Sequence, residues 1–184
     1  MEERTSTWLA PRGIWWHRFG RDEKMWLAVI IVWAVAMFVM IMFIWPAIGQ
    51  QQADIQSYRV DPVEFSTLTA QFTEKYKVGE ENGFPVVAPP PGSDVYLQAS
   101  RFQWTPILKL QKGETYRFLI SSLDVEHGFS LQPDNVNFQI LPGYITGLKM
   151  TPHETGEFTV VCNEFCGLGH HVMVGRIIVT DDDN

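Results

Sequence analysis

The sequence predicts one transmembrane helix followed by an all-β domain. Residues 25–48 contain no charged side chain. As a helix they would span about 36 Å, against about 30 Å of bilayer hydrocarbon. From residue 94 onwards, short runs rich in β-branched and aromatic residues alternate with turn-forming residues, a pattern typical of a sandwich or barrel. These runs are 95–104, 115–121, 127–131, 136–141, 144–150, 157–162 and 172–180.

The charges that flank the apolar run predict its orientation. Five Lys or Arg residues precede it, whereas Arg59 is the only one in the 26 residues that follow. The positive-inside rule therefore places the N-terminus in the cytoplasm and the rest of the chain on the periplasmic side of the plasma membrane. Trp26 and Trp45 lie near the two ends of the run, where indole rings favour contact with the lipid interface. A cleaved signal peptide would have a shorter apolar core and a small-residue cleavage site, and neither is evident.

The extracytoplasmic part is acidic. Residues 49–184 carry 9 Lys or Arg against 17 Asp or Glu, a net charge of −8. This charge excludes a nucleic-acid partner, which needs a basic surface. It would suit a basic soluble partner, and plain solubility explains it equally well.

The segment between the apolar run and the β domain contains a helix signal. Asp61 as N-cap, Pro62 at the first helical position and Glu64 in the first turn predict a short amphipathic helix over 62–76. Its apolar face would carry Phe65, Leu68, Phe72 and Tyr76. The Pro-rich stretch 88–92 predicts a stiff extended connector. The predicted division is a cytoplasmic segment 1–24, a transmembrane helix 25–48, a connector 49–93 and a β domain 94–184.

Both cysteines of the chain lie in the stretch 162–173, CNEFCGLGHHVM. A disulfide between Cys162 and Cys166 would close a very short loop and add little stability. Zinc binds Cys and His, but methionine is not a zinc ligand. Thiolate, imidazole and thioether together favour copper in electron transfer.

Two cysteines are one more than a mononuclear blue-copper site uses, but two thiolates can bridge a pair of copper ions. Each ion would then need one histidine and one weak ligand. A second histidine must come from another loop, and His127 at the start of a predicted strand is the candidate. The predicted ligands are His127, Cys162, the Glu164 carbonyl, Cys166, His170 and Met173.

The spacing Cys-x-Glu-x-Cys-Gly-x-x-His-x-x-Met resembles the binuclear CuA motif of subunit II of haem–copper oxidases. The stretches DVEHGFSL and NVNFQILPGYITGL are also similar to that family. The resemblance implies an all-β cupredoxin-like Greek-key barrel preceded by one N-terminal transmembrane α-helix. A single span resembles the B-type oxidases, and no Cys-x-x-Cys-His is present for a covalently attached haem.

The resemblance also implies roles for single residues. His170 and the Glu164 carbonyl would complete one copper site, and His127 and Met173 the other. The Glu164 carboxylate would reach a magnesium ion at the subunit interface. Trp104 would be an exposed aromatic that receives electrons, with core packing as the alternative. Glu23 would lie at the cytoplasmic mouth of a proton channel.

The implied function is that of the subunit through which electrons enter a respiratory terminal oxidase. Electrons would pass from a soluble donor, cytochrome c or a small copper protein, to haems in a separate subunit I. One alternative is the CuA subunit of a nitric oxide reductase. A second is a membrane-anchored copper-binding or copper-delivery protein without an attached oxidase.

Overall fold

The computed structural model describes residues 19–48 and 55–181. They fall into two units, one at the N-terminal side of Gln50 and one from Gln51 onwards. Most of the predicted cytoplasmic segment 1–24, including Arg4, Arg12 and Arg18, lies outside the described residues.

The N-terminal unit is one long apolar helix, Arg21–Ile48, with a π-helical segment at Met40–Ile44. It is the only helix in the described ranges that is long and apolar enough to cross a membrane, by length and composition. None of its side chains is buried within the protein. An apolar helix of this kind needs an apolar surrounding, so it fits a single-pass membrane protein with a periplasmic domain.

The second unit is built from two β-sheets that enclose one core. The first sheet has the strand order β1-β10-β7-β4-β5, and the second has the order β2-β3-β6-β12-β11-β8-β9. The strands are β1 Ile55–Arg59, β2 Lys77–Glu81, β3 Phe84–Val87, β4 Asp94–Ser100, β5 Gln103–Thr105, β6 Ile107–Gln111, β7 Tyr116–Ser122, β8 His127–Leu131, β9 Val136–Ile140, β10 Tyr144–Met150, β11 Gly156–Val161 and β12 Val174–Thr180.

The chain passes repeatedly between the two sheets, as in a Greek-key sandwich. β4 and β5 belong to the first sheet, β6 to the second and β7 to the first again. Most neighbouring strands are antiparallel, and β4–β7, β3–β6 and β6–β12 are parallel. Every second residue of a strand points into the core. In β4, for example, buried residues alternate with partly exposed ones along the whole strand. The predicted cupredoxin-like fold, preceded in the chain by one apolar helix, is confirmed.

The amphipathic helix is present as Pro62–Tyr76. The Asp61 carboxylate caps it by accepting hydrogen bonds from the backbone N–H groups of Val63 and Glu64, at 2.9 and 3.3 Å. Phe65 and Phe72 are buried and pack their rings against Tyr96 of β4. The helix therefore covers the outer side of the first sheet through its apolar face.

The segment 49–93 contributes more than a connector. β1 pairs with β10, and the hairpin formed by β2 and β3 adds to the second sheet beside β6. These strands were not predicted. In β2, four of the five residues are Lys, Gly or Glu, which propensity disfavours in strands, and only Val78 favours one. Long-range pairing with buried neighbours outweighs that local preference.

The predicted run 95–104 is two strands instead of one. β4 ends at Ser100, the chain reverses at Arg101 and Phe102, and β5 returns beside it with Ala99 opposite Trp104. No Gly, Pro, Asn or Asp marks this reversal in the sequence, which is why a single strand was expected. The reversal places Arg101 and Phe102 against residues 162–173, the loop that contains both cysteines.

Candidate metal centre

The Cys-rich loop consists of residues 162–173 and joins β11 to β12. Its ends are held together because Val161 and Val174 are paired and the Cys162 N–H donates to the Met173 carbonyl at 3.2 Å. A short 3₁₀ turn, His170–Val172, forms its second half. The His170 N–H donates to the Gly167 carbonyl at 3.0 Å, so the turn is closed by its own backbone. This loop is called the 162–173 loop below.

The two thiols lie side by side in the core. The side chains of Cys162 and Cys166 are 4% and 3% exposed, and both are free cysteines. Their Sγ atoms are 3.9 Å apart, against about 2.0 Å in a disulfide. Burial, followed by the neighbouring Cys162 thiol, raises the pKa of Cys166 from 9.0 to about 11. The Cys166 thiol therefore keeps its proton at neutral pH, and a metal ion that binds there must displace it.

Each histidine faces a different thiol. The Nδ1 atom of His127 lies 3.8 Å from Cys162 Sγ, and the Nδ1 atom of His170 lies 3.7 Å from Cys166 Sγ. Ligands that share one ion through bonds of about 2.0–2.3 Å lie roughly 3–4 Å apart, as these atom pairs do. The pair of thiols thus has one imidazole on the side of Cys162 and a second on the side of Cys166, each at a distance that a shared metal ion would allow.

The weak ligands predicted from the sequence are also present. The Met173 Sδ atom lies 3.6 Å from Cys166 Sγ, and the Glu164 carbonyl oxygen lies 3.3 Å from Cys162 Sγ. Met173 is buried with the thiols. All six predicted ligand groups thus converge on one place, where His127, Cys162 and Cys166 have ligand atoms within 4.8 Å of one another.

His127 is oriented by a residue that sequence reasoning missed. The Asp124 carboxylate lies 2.9 Å from Nε2 of His127, which leaves Nδ1 to face Cys162. Partial burial alone would raise the pKa of Asp124. Hydrogen bonds from His127 and from the backbone N–H groups of Arg101 and Val125 outweigh it and lower that pKa. The carboxylate is therefore a charged acceptor that fixes the imidazole tautomer. Its position three residues before His127 was the available signal.

Glycines let neighbouring chain segments approach the loop. A Cβ atom on Gly128, the residue after His127, would lie 1.9 Å from the Asn163 Oδ1 atom and 2.8 Å from the Glu164 nitrogen. A Cβ on Gly169 would lie 2.5 Å from the ring of Phe102. Both positions need glycine for space, because any side chain would push the 162–173 loop away.

Trp104 lies beside the site but not at the surface. Its ring centroid is 6.3 Å from that of His127 and 5.7 Å from that of Phe129, and only 3% of the residue is exposed. Gly175 of β12 makes room for it, because a Cβ there would lie 2.6 Å from the Trp104 Cβ. The expectation of an exposed aromatic is corrected by this burial, which the pairing of β5 with β4 imposes.

Glu23 lies in the first turn of the apolar helix, which belongs to the other structural unit. Its carboxylate accepts a hydrogen bond from the Gly20 backbone N–H. This contact caps the start of the helix.

The donor set fits copper better than zinc. Two thiols, two imidazoles and a thioether are soft or intermediate ligands, and the thioether and the carbonyl suit the weak positions of a copper site. A cupredoxin-like domain with such a site defines a class of electron-transfer proteins.

Comparison with known proteins shows which family the β domain resembles. Residues 104–181 match the sequence profile described as cytochrome C oxidase subunit II, periplasmic domain. Two proteins named cytochrome c oxidase subunit 2 from Thermus thermophilus are each 38% identical over 88 residues, or 47% of this chain. The match covers 65% and 52% of those two relatives, so the chain spans only part of their length. Over residues 104–181 the β domain is thus similar to the periplasmic domain of the cytochrome c oxidase subunit II family.

A solved structure extends the likeness in fold. A chain of a heme-copper terminal oxidase dimer, determined by cryo-electron microscopy, aligns with a TM-score of 0.56 and 23% identity. The alignment covers 87% of this chain and 100% of that chain. This alignment supports the fold, and it extends over most of the residues that lie outside 104–181.

Proposed function

We propose that this chain is the subunit through which electrons enter a respiratory haem–copper terminal oxidase, most similar to the B-type. It would pass electrons from a soluble donor to haems in a separate subunit I. The observation that carries the proposal is the pair of buried thiols 3.9 Å apart, each faced by its own imidazole. A mononuclear site would use one of these thiols and leave the other without a function.

The six residues would hold a binuclear CuA centre. Cys162 and Cys166 would be common to both ions, His170 and the Glu164 carbonyl would complete one site, and His127 and Met173 would complete the other. When bound, such a copper pair supplies a site that takes up and gives back one electron. The protein keeps the ligands in place through the paired ends of the loop. Burial of the thiols and of Met173 excludes water from them. Little rearrangement is then needed when the charge changes.

The surface around the site supports docking of the donor on the 162–173 loop. Phe165 and Leu168 are 79% and 94% exposed, and Val172 is exposed beside them. Exposed apolar side chains that are contiguous with a redox site are typical of interaction surfaces. A donor such as cytochrome c or a small copper protein would therefore dock mainly through apolar contacts, and the acidic charge of the domain would act at longer range.

Burial of Trp104 changes its place in the proposal. A residue that is 3% exposed does not contact a docked donor. Its ring instead closes the inner side of His127, which favours the core-packing role over direct acceptance of electrons. The electron would enter over the loop itself, whose Phe165 ring lies 5.8 Å from that of His170.

The membrane arrangement follows from the flanking charges. Five basic residues before the apolar helix support a cytoplasmic N-terminus, with the β domain on the periplasmic side of the plasma membrane. The proposed divisions are 1–24, 25–48, 49–93 and 94–184. Glu23 would stand at the cytoplasmic mouth of a proton channel into subunit I, and the Glu164 carboxylate would bind magnesium at the interface between the subunits.

The copper-delivery alternative is disfavoured by burial. A protein that hands copper to another needs thiols that the recipient can reach, whereas both thiols here are nearly inaccessible. The CuA subunit of a nitric oxide reductase would have the same site in this chain, and the catalytic partner distinguishes the two.

The test is to purify the full chain in detergent and load it with copper. We expect two coppers per chain and an electron paramagnetic resonance spectrum of one unpaired electron shared by both. Cys166→Ser should abolish the shared-electron spectrum, whereas Ser130→Ala, outside the ligand set, should keep it. One copper per chain with a blue mononuclear spectrum would overturn the binuclear assignment. Co-purification from the native membrane with a haem subunit that reduces oxygen tests the oxidase role.

A further inference from the structure

Arg101 connects the reversal between β4 and β5 to the 162–173 loop. Its Nε atom donates a hydrogen bond to the carbonyl oxygen of Cys166 at 3.1 Å, across 65 positions of sequence. Its backbone N–H donates to the Asp124 carboxylate at 2.8 Å. Because Asp124 also holds the ring of His127, this one turn is linked to Cys166 directly and to His127 through Asp124.

The neighbouring residue strengthens this contact by packing. The Phe102 ring lies under the glycines of the loop, so that a Cβ on Gly167 would be 3.3 Å from it and one on Gly169 would be 2.5 Å from it. Gly167 has a φ of +130°, a conformation that other residues rarely adopt. The backbone that follows Cys166 is thus held by a hydrogen bond on one side and by an aromatic ring on the other.

We propose that Arg101 is a positioning residue for the metal centre, with two separable effects. Its hydrogen bond fixes the Cys166 carbonyl and therefore the direction in which the Cys166 thiol and the following turn point. Its guanidinium also places a permanent positive charge next to Cys166. The second effect rests on the proposed function, whereas the first concerns the protein without metal.

The charge effect has a definite sign. A fixed positive charge stabilises added negative charge, so Arg101 favours the state that holds one more electron and raises the reduction potential of the centre. Arg101 is exposed to solvent, so dissolved salt screens this effect. No charge on the loop itself opposes it except Glu164, whose side chain is partly exposed.

Three substitutions separate the two effects. Arg101→Ala removes the donor and the charge, Arg101→Gln keeps an amide donor without charge, and Arg101→Lys keeps the charge without the planar guanidinium. The matched control is Arg117→Gln, which removes an arginine of β7 that pairs with Asp94, at the opposite end of β4 from Arg101. All variants are made in the full chain.

The first measurement uses the metal-free protein under reducing conditions. Amide hydrogen exchange of residues 167–170 should become at least severalfold faster in Arg101→Ala and change less in Arg101→Gln. It should not change in Arg117→Gln. Unchanged exchange in Arg101→Ala would overturn the positioning role. Faster exchange across the entire domain would also overturn it, because that result means general destabilisation.

The second measurement is the midpoint potential of the copper-loaded protein. The midpoint potential should fall in Arg101→Ala and Arg101→Gln and stay near the wild-type value in Arg101→Lys. The difference in potential between wild type and Arg101→Gln should shrink as the salt concentration rises. Equal potentials in wild type and Arg101→Gln at low salt would overturn the charge effect. If the wild-type chain binds no copper pair, the proposed function fails, while the exchange experiment still decides the positioning role.

Discussion

The carboxylate of Asp124 lies 2.9 Å from Nε2 of His127, and Nδ1 of the same ring lies 3.8 Å from the thiol of Cys162. One ring nitrogen is thus committed to a charged acceptor, and the other is left to face the thiol. Because His127 is fully buried, nothing in solvent can replace that acceptor. An oriented imidazole of the correct tautomer is a requirement for tight metal binding.

Asp124→Asn is therefore expected to weaken copper binding. An amide can present its NH₂ group to Nε2, which would put the imidazole proton on Nδ1, where the metal must bind. Loss of such an outer partner lowers metal affinity by about 10- to 100-fold. Competition with a chelator of known affinity measures this change. Asp134→Asn, the same substitution in the turn between β8 and β9, serves as control, and equal affinities in the two variants would contradict the prediction.

Gly169→Ala is expected to displace the 162–173 loop for steric reasons alone. Gly169 has a φ of −91°, which alanine adopts freely, so the added methyl acts only through its contact with the Phe102 ring. Overpacking of this kind costs roughly 1–3 kcal/mol of unfolding free energy. Chemical denaturation of the metal-free chain measures the loss.

A second substitution distinguishes this steric mechanism from others. Adding Gly169→Ala to the Phe102→Ala protein should lower the free energy of unfolding by less than adding Gly169→Ala to wild type does. Additive effects of the two changes would show that the methyl group and the ring do not interact.

Trp104 gives a prediction in which two substitutions of one residue differ. Its Nε1 has no hydrogen-bond partner among the described residues, although the side chain is buried. Trp104→Ala should lower the free energy of unfolding by about 3–5 kcal/mol through the cavity it leaves. Trp104→Phe removes an unpaired donor, a gain of about 1–3 kcal/mol that offsets part of the lost packing. Denaturant midpoints measure both, and a loss in Trp104→Phe as large as that in Trp104→Ala would contradict the prediction.

The ligand candidates could be named from the sequence more easily than the scaffold around them. Five of the six lie within twelve positions, so their spacing was enough to propose them, and His127 was proposed from its place at the start of a predicted strand. The contact of Arg101 with Cys166 spans 65 positions and carries no local signal. In the same way, β6 with the sequence ILKLQ becomes a strand through parallel pairing with β12 and β3. Such pairing depends on tertiary neighbours that no local pattern shows.

The metal-free protein should lose stability at alkaline pH. The pKa of Cys166 is raised from 9.0 to about 11 by burial and by the neighbouring thiol. The folded state then holds its proton at a pH at which the unfolded chain has released it. This contribution is fully present below pH 9.0 and is lost as pH rises towards about 11. Denaturation under reducing conditions over this range measures it. Cys166→Ser should show a shallower decline, and an identical decline would assign the loss to other groups.

Glu23→Gln tests the proposed proton role without disturbing the helix. The Glu23 carboxylate accepts a hydrogen bond from the Gly20 N–H, and a glutamine side-chain oxygen can accept the same bond. The change therefore removes the titratable charge and keeps the cap. Reduction of oxygen or nitric oxide at a buried site consumes protons, which a carboxylate at the inner membrane surface can collect.

In Glu23→Gln, the copper spectrum and the rate of reduction by the donor should stay at wild-type values, while steady-state turnover of the assembled complex falls severalfold. Haem re-oxidation should slow at the steps that take up protons, as followed by stopped-flow absorption. Asp22→Asn, an adjacent carboxylate in the same helical turn, is the matched control. Turnover that is equal in Glu23→Gln and wild type at every pH would leave Glu23 only the role of a helix cap.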